Sequence, residues 1–120
     1  MPREFARHQR LRAQLLRVLS SLIRFEVKDP GLANVSLTEV DLTRDLSVAK
    51  VYFNMLEPDA DPAVVYESLE RAAGFLRRKL GGELMIRHVP ELRFLHDDSS
   101  SHGAEIARLI EEAKIPKGNL

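Results

Sequence analysis

Cysteine is absent from the 120 residues, and so is tryptophan. The lack of cysteine excludes disulfides, thiolate zinc sites and cysteine nucleophiles, and it suits a reducing cytoplasm, where the chain is expected to work. No apolar run approaches the ~20 residues needed to span a bilayer. No short apolar segment followed by a small-residue cleavage site marks a signal peptide. Aromatics make up only 6% of the chain. Tyr52 and Tyr66 are the main candidates for exposed rings, so stacking on bases is less expected than recognition of shape and backbone. The patterns GxGxxG, GxxxxGK(S/T) and HExxH are all missing, which removes the common nucleotide-binding and zinc-hydrolase signatures.

Net charge is also zero, but it is unevenly distributed. Residues 1–24 carry six arginines against Glu4 alone. Residues 25–70 carry three basic and ten acidic side chains, and residues 71–93 carry six basic and two acidic ones. Two basic blocks thus flank an acidic middle, an asymmetry that fits a polyanion-binding face or merely segregated surface charge. Of the 18 basic residues 13 are arginine, whose planar fork matches phosphate and stacks on bases.

The length suits one domain with one core, expected over residues 1–115 with a mobile tail at 116–120. Residues 4 to about 26 read as a helix with Leu11, Leu15, Val18 and Leu22 as its buried stripe. Arg3, Arg10, Arg17 and Arg24 recur every seventh residue and line one flank. Asp29-Pro30-Gly31 stops that helix. A strand over 34–42 changes phase between Leu37 and Val40, which predicts a bulge or strong twist. Thr43-Arg44-Asp45 forms a turn, and a second strand over 46–55 places Ala49, Val51, Phe53 and Met55 on one face. After Pro90 a third strand over 91–96 points Leu92 and Phe94 inward. A short amphipathic helix from Ala104 closes before Pro116.

The stretch Pro62 to Leu80 organises the rest. Asp61 is a suitable N-cap and Pro62 suits the first helical position. Val65, Leu69, Ala72, Leu76 and Leu80 form one apolar stripe, and at about 100° per residue Gly74 points away from it. An exposed glycine in such a helix serves either a bend or a close approach to the backbone. Acidic residues crowd the first half and Arg71, Arg77, Arg78 and Lys79 the second, an order that also favours the helix dipole. Gly81-Gly82 is expected to cap the helix and link it onward.

Catalytic constellations are weak. His96-Asp97-Asp98 with His102 supplies metal-binding atoms, but the three serines and glycine around it read more simply as a loop, so no metal or other cofactor is expected. Ser99, His96 and Asp97 lack the strained turn that presents a nucleophile. Glu67 and Glu70 lie among solvent-facing positions. The chain reads as a non-enzyme with no small-molecule substrate. The rival reading is a protein–protein module acting through its acidic central region.

Asp29-Pro30-x-Leu32, VSLTEVDLTRDLSVAKVYF from Val35 to Phe53, and Ala72-x-Gly74-Phe75-x-Arg77 occur in that order. Val89-Pro90-Glu91-Leu92-x-Phe94 and Asp98-Ser99 before Gly103 follow. Together they resemble the ribosome-binding factor A family from about Arg7 to Ile110. The resemblance implies an α+β, type II KH-like fold: α-β-β-α-kink-α-β plus a short C-terminal helix, with helices on one face of a mixed three-stranded sheet. It implies a partner, the immature 30S subunit and its 16S rRNA, with a role in late maturation that includes 5′-end processing, and often in growth at low temperature. KH domains clamp single strands with a GXXG loop; here Ala72-Ala73-Gly74 stands in its place, as in this family's kinked variant. The RNA-binding residues expected are Arg71, Ala72, Gly74, Arg77, Arg78, Lys79, Arg87 and His88, with Arg3, Arg7, Arg10 and Arg17 as a second set. A monomer is expected.

Overall fold

The computed structural model describes residues 2–57 and 59–97, with side chains from Ala6 onward. The helix expected from Ala104 and the tail at 116–120 lie outside the described residues.

Helix α1 runs from Pro2 to Phe25. Leu15, Leu19, Leu22 and Ile23 are its buried residues, the i, i+4, i+7, i+8 face of an amphipathic helix. Leu11 and Val18, expected in the stripe, pack at its margin instead, because the core-facing side is rotated toward Leu19 and Ile23. The helix closes where the amides of Glu26 and Val27 both donate to the Leu22 carbonyl. A 3₁₀ turn follows at Pro30–Leu32, capped by the Asp29 carboxylate, which accepts from the Gly31 amide at 2.9 Å.

Strands β1 (Val35–Leu42) and β2 (Val48–Met55) are antiparallel, and β3 (Glu91–His96) joins the other edge of β2 in parallel. The order β1-β2-β3 is the mixed sheet the resemblance implied. The register shifts between Leu37 and Glu39, where the alternation changes phase. The β1–β2 turn is longer than expected, since β2 begins at Val48 and not at Leu46. Its extra residues are held by Asp45, whose carboxylate accepts from the Ser47 amide and hydroxyl and from the Thr43 hydroxyl. These bonds, the Ser47 hydroxyl's first, hold the Asp45 carboxyl below the usual aspartate range. Leu46 adopts a left-handed conformation, φ 64°.

Helix α2 runs from Pro62 to Leu84 and connects β2 to β3, as a parallel pair requires. The sheet's inner face supplies Val40, Ala49, Val51, Phe53, Leu92 and Phe94 to the core. α1 and α2 close that core with their buried stripes. None of the described helices is long and apolar enough to cross a membrane.

Candidate nucleic-acid interface

Helix α2 starts as its sequence dictates. The Asp61 carboxylate accepts from the Ala63 amide at 3.0 Å, and Pro62 occupies the first turn. All five residues of the expected stripe are buried, joined by Ser68. Gly74 faces away and is exposed. A Cβ added there would meet only Arg78 Nη1, at 3.9 Å. Packing therefore does not require this glycine, although glycine inside a helix costs about 0.5–1 kcal/mol against alanine. What it leaves is bare backbone one turn before an arginine.

Two expectations for this helix are corrected. α2 is uninterrupted through Ala72-Ala73-Gly74, so the two halves are one helix of 23 residues and not a pair. Nor do Gly81-Gly82 end it; it continues to Leu84, and Met85 takes the left-handed capping position at φ 53°. The cause is tertiary. A Cβ on Gly81 would lie 3.3 Å from Val89 Cγ2, so the segment after the helix folds back against its last turns. The glycine makes room for Val89 and the helix carries on past it.

Arg77 holds that returning segment. Its guanidinium donates to the Val89 carbonyl at 3.1 Å and to the Pro90 carbonyl at 3.3 Å, while Pro90 itself is buried. Residues 85–90 are thereby pinned beside the basic half of α2, with Arg87 and His88 exposed on them. Pro90 stands just before β3, so its carbonyl accepts from Arg77 where the strand is about to begin.

The expected RNA-binding residues fall into three groups. Arg71, Arg77 and Lys79 are held by partners within the chain: Arg71 by Asp29 at 3.1 Å and the Ser68 hydroxyl at 3.0 Å, Lys79 by Glu26 at 3.3 Å. Ala72 lies in the core stripe. Gly74, Arg78, Arg87 and His88 are exposed, and no hydrogen bond or ion pair joins the last three to another described residue. Arg7, Arg10 and Arg17 are exposed along α1, and Arg3's side chain is outside the described set. Sequence reasoning passed over Arg44, which the β1–β2 turn brings beside Arg7 and Arg10; its only signal was a basic residue at a turn.

The metal-ligand candidates do not assemble among the described residues, where no group of three His, Cys, Asp or Glu could hold an ion. Asp97 accepts from the Thr38 hydroxyl at 2.6 Å, and His96 makes a tilted ring contact with Phe53. Asp98, Ser99 and His102 lie outside the described residues.

The family model for ribosome-binding factor A matches residues 7–110. The chain belongs to that family. Among relatives named ribosome-binding factor A, that of Thioalkalivibrio sulfidiphilus is 46% identical over 94% of this chain and 88% of its own. The one from Alkalilimnicola ehrlichii is 47% identical with the same two coverages. The crystal structure of ribosome-binding factor A from Thermus thermophilus superposes with a TM-score of 0.68 at 30% identity, over 74% of this chain and 93% of the other. A Thermus thermophilus ribosome-binding factor A model fitted into a cryo-EM map of its 30S complex gives 0.60 at 32% identity, over 73% and 92%. The ribosome-binding factor A fold is thus the α+β, KH-like arrangement described above.

Proposed function

We propose that this protein is a non-enzymatic assembly factor that binds the immature 30S subunit through its 16S rRNA and assists late maturation, including processing of the 5′ end. The observation that carries this reading is the exposed Gly74 one turn before an uncommitted Arg78. A sugar-phosphate backbone can approach bare peptide at such a position while a guanidinium forks onto phosphate. The 30S complex of the Thermus relative supports the choice of partner.

Within this reading the basic residues divide by role. Arg78 and Arg87 contact phosphate, with His88 next to Arg87 on the segment after α2. Arg77 is a positioning residue that keeps that segment against α2. Arg71 and Lys79, each with a carboxylate partner, contribute to the local field more than to direct contacts. The protein acts as a monomer in the cytoplasm and consumes no small molecule.

The test is cosedimentation with purified small subunits, large subunits and free rRNA at graded salt. Selective recovery with the small subunit, falling steeply between 50 and 200 mM salt as released counterions require, is the expected result. Equal recovery on large subunits, or binding indifferent to salt, contradicts it.

A further inference from the structure

A cavity of about 540 Å³ lies where the first half of α1, the β1–β2 turn and the segment after α2 meet. No residue of α2 lines it, so it is a surface apart from the Gly74–Arg78 face. Arg7, Arg10 and Arg44 bring three exposed guanidinium groups from two elements. Leu11, Leu46 and Ile86 supply aliphatic surface from three. Among the described side chains no aspartate or glutamate lines it. Asp45, the acid nearest in sequence, is spent within its own turn on Thr43 and Ser47. The volume falls inside the roughly 300–1,000 Å³ of small-ligand sites, which also combine apolar walls with a few directed polar groups.

Leu46 adds a second observation. Its φ of 64° lies where glycine or asparagine is favoured, yet the position holds a branched aliphatic side chain, exposed to 36% and lining the cavity. Glycine would relieve the backbone but offer no apolar surface. Strain kept at a surface residue in a pocket points to a use for that side chain.

We propose that this cavity receives a single unstacked nucleotide of an RNA strand, its base against Leu11, Leu46 and Ile86 and its phosphates on Arg7, Arg10 and Arg44. The proposal rests on the RNA-binding reading above and gives it a second point of attachment. A base has an extended apolar face that both aliphatic side chains and guanidinium planes can cover. An acidic side chain would use the arginines and leave the aliphatic surface bare.

The test is an NMR titration of the intact chain with a short oligouridylate, and separately with inorganic tripolyphosphate and with oligoglutamate. Oligouridylate should shift the amides of Leu46 and Ile86, and Arg44→Glu should weaken that binding about tenfold or more, as for loss of one directed arginine contact. Leu46→Gly is the discriminating variant, because it should hold or raise the thermal midpoint while weakening oligouridylate binding. Equal shifts with tripolyphosphate or oligoglutamate, or no shifts at these amides with oligouridylate, overturn the proposal. Unchanged oligouridylate affinity in Leu46→Gly also overturns it. The titration decides the cavity whichever way subunit sedimentation falls, and sedimentation of Arg78→Glu, which leaves the cavity intact, decides the α2 reading separately.

Discussion

Arg71 and Asp29 are joined by a 3.1 Å ion pair that ties the middle of α2 to the turn after α1. The same carboxylate accepts from the Gly31 amide, which does most to hold its pKa below the usual aspartate range, with Arg71 adding to the effect against partial burial. An acid whose folded pKa is depressed contributes stability that is present above its unfolded pKa and lost as pH falls through the folded one. Wild-type protein should therefore melt above Asp29→Asn near neutrality. The gap between their midpoints should close as pH drops below about 4, the ordinary aspartate pKa. Thermal melts of the two proteins across that range check this, and a gap that widens in acid contradicts it.

Arg77 and Arg78 are neighbours in sequence with opposite duties. Arg77→Ala removes two bonds to backbone carbonyls and should destabilise the fold by about 1–2 kcal/mol. Arg78→Ala, at an exposed position with no partner among the described residues, should stay within about 0.5 kcal/mol of wild type. Urea unfolding at unchanged m-value measures both. Equal effects would mean that the Arg77 bonds contribute nothing to holding residues 85–90.

Gly74→Ala should separate stability from binding. A Cβ there makes only an ordinary van der Waals contact with the end of the Arg78 side chain, so better helix propensity should raise stability by about 0.5–1 kcal/mol. If RNA approaches the helix backbone at this point, the added methyl should weaken small-subunit binding, with each tenfold loss corresponding to about 1.4 kcal/mol. A melt combined with a binding isotherm checks it. Higher stability with unchanged affinity would assign Gly74 no part in recognition.

Much of this arrangement was legible in the residues. The stripe from Val65 to Leu80, the inward Leu92 and Phe94 and the shift after Leu37 follow from periodicity, which reports directly on which side is buried. The cap at Asp61 follows from a side-chain oxygen that can reach a nearby amide, and the turn at Asp29-Pro30-Gly31 follows from its proline and glycine. Contacts between distant segments were not legible. Local propensity reads Gly81-Gly82 as an ending, yet Val89 packing against Gly81 carries the helix through to Leu84. Charge alone counts Arg71 and Arg77 as available cations. The carboxylate partner of Arg71 lies 42 residues away, and Arg77 donates to backbone carbonyls 12 and 13 residues away, which no composition reveals. Arg44 went unnoticed for the same reason, because its company with Arg7 and Arg10 exists only once the hairpin is folded.

The central claim is that the exposed cations of α2 and of the segment after it, without partners among the described residues, hold rRNA. Its most direct measurement is the affinity of Arg78→Glu combined with Arg87→Glu for purified small subunits, compared with wild type at matched salt. Neither side chain has a partner to lose among the described residues, so the melt should be unchanged. The account predicts that affinity falls at least about tenfold and that its salt dependence becomes shallower by roughly one unit of slope per lost phosphate contact. A double variant that keeps wild-type affinity and slope contradicts it.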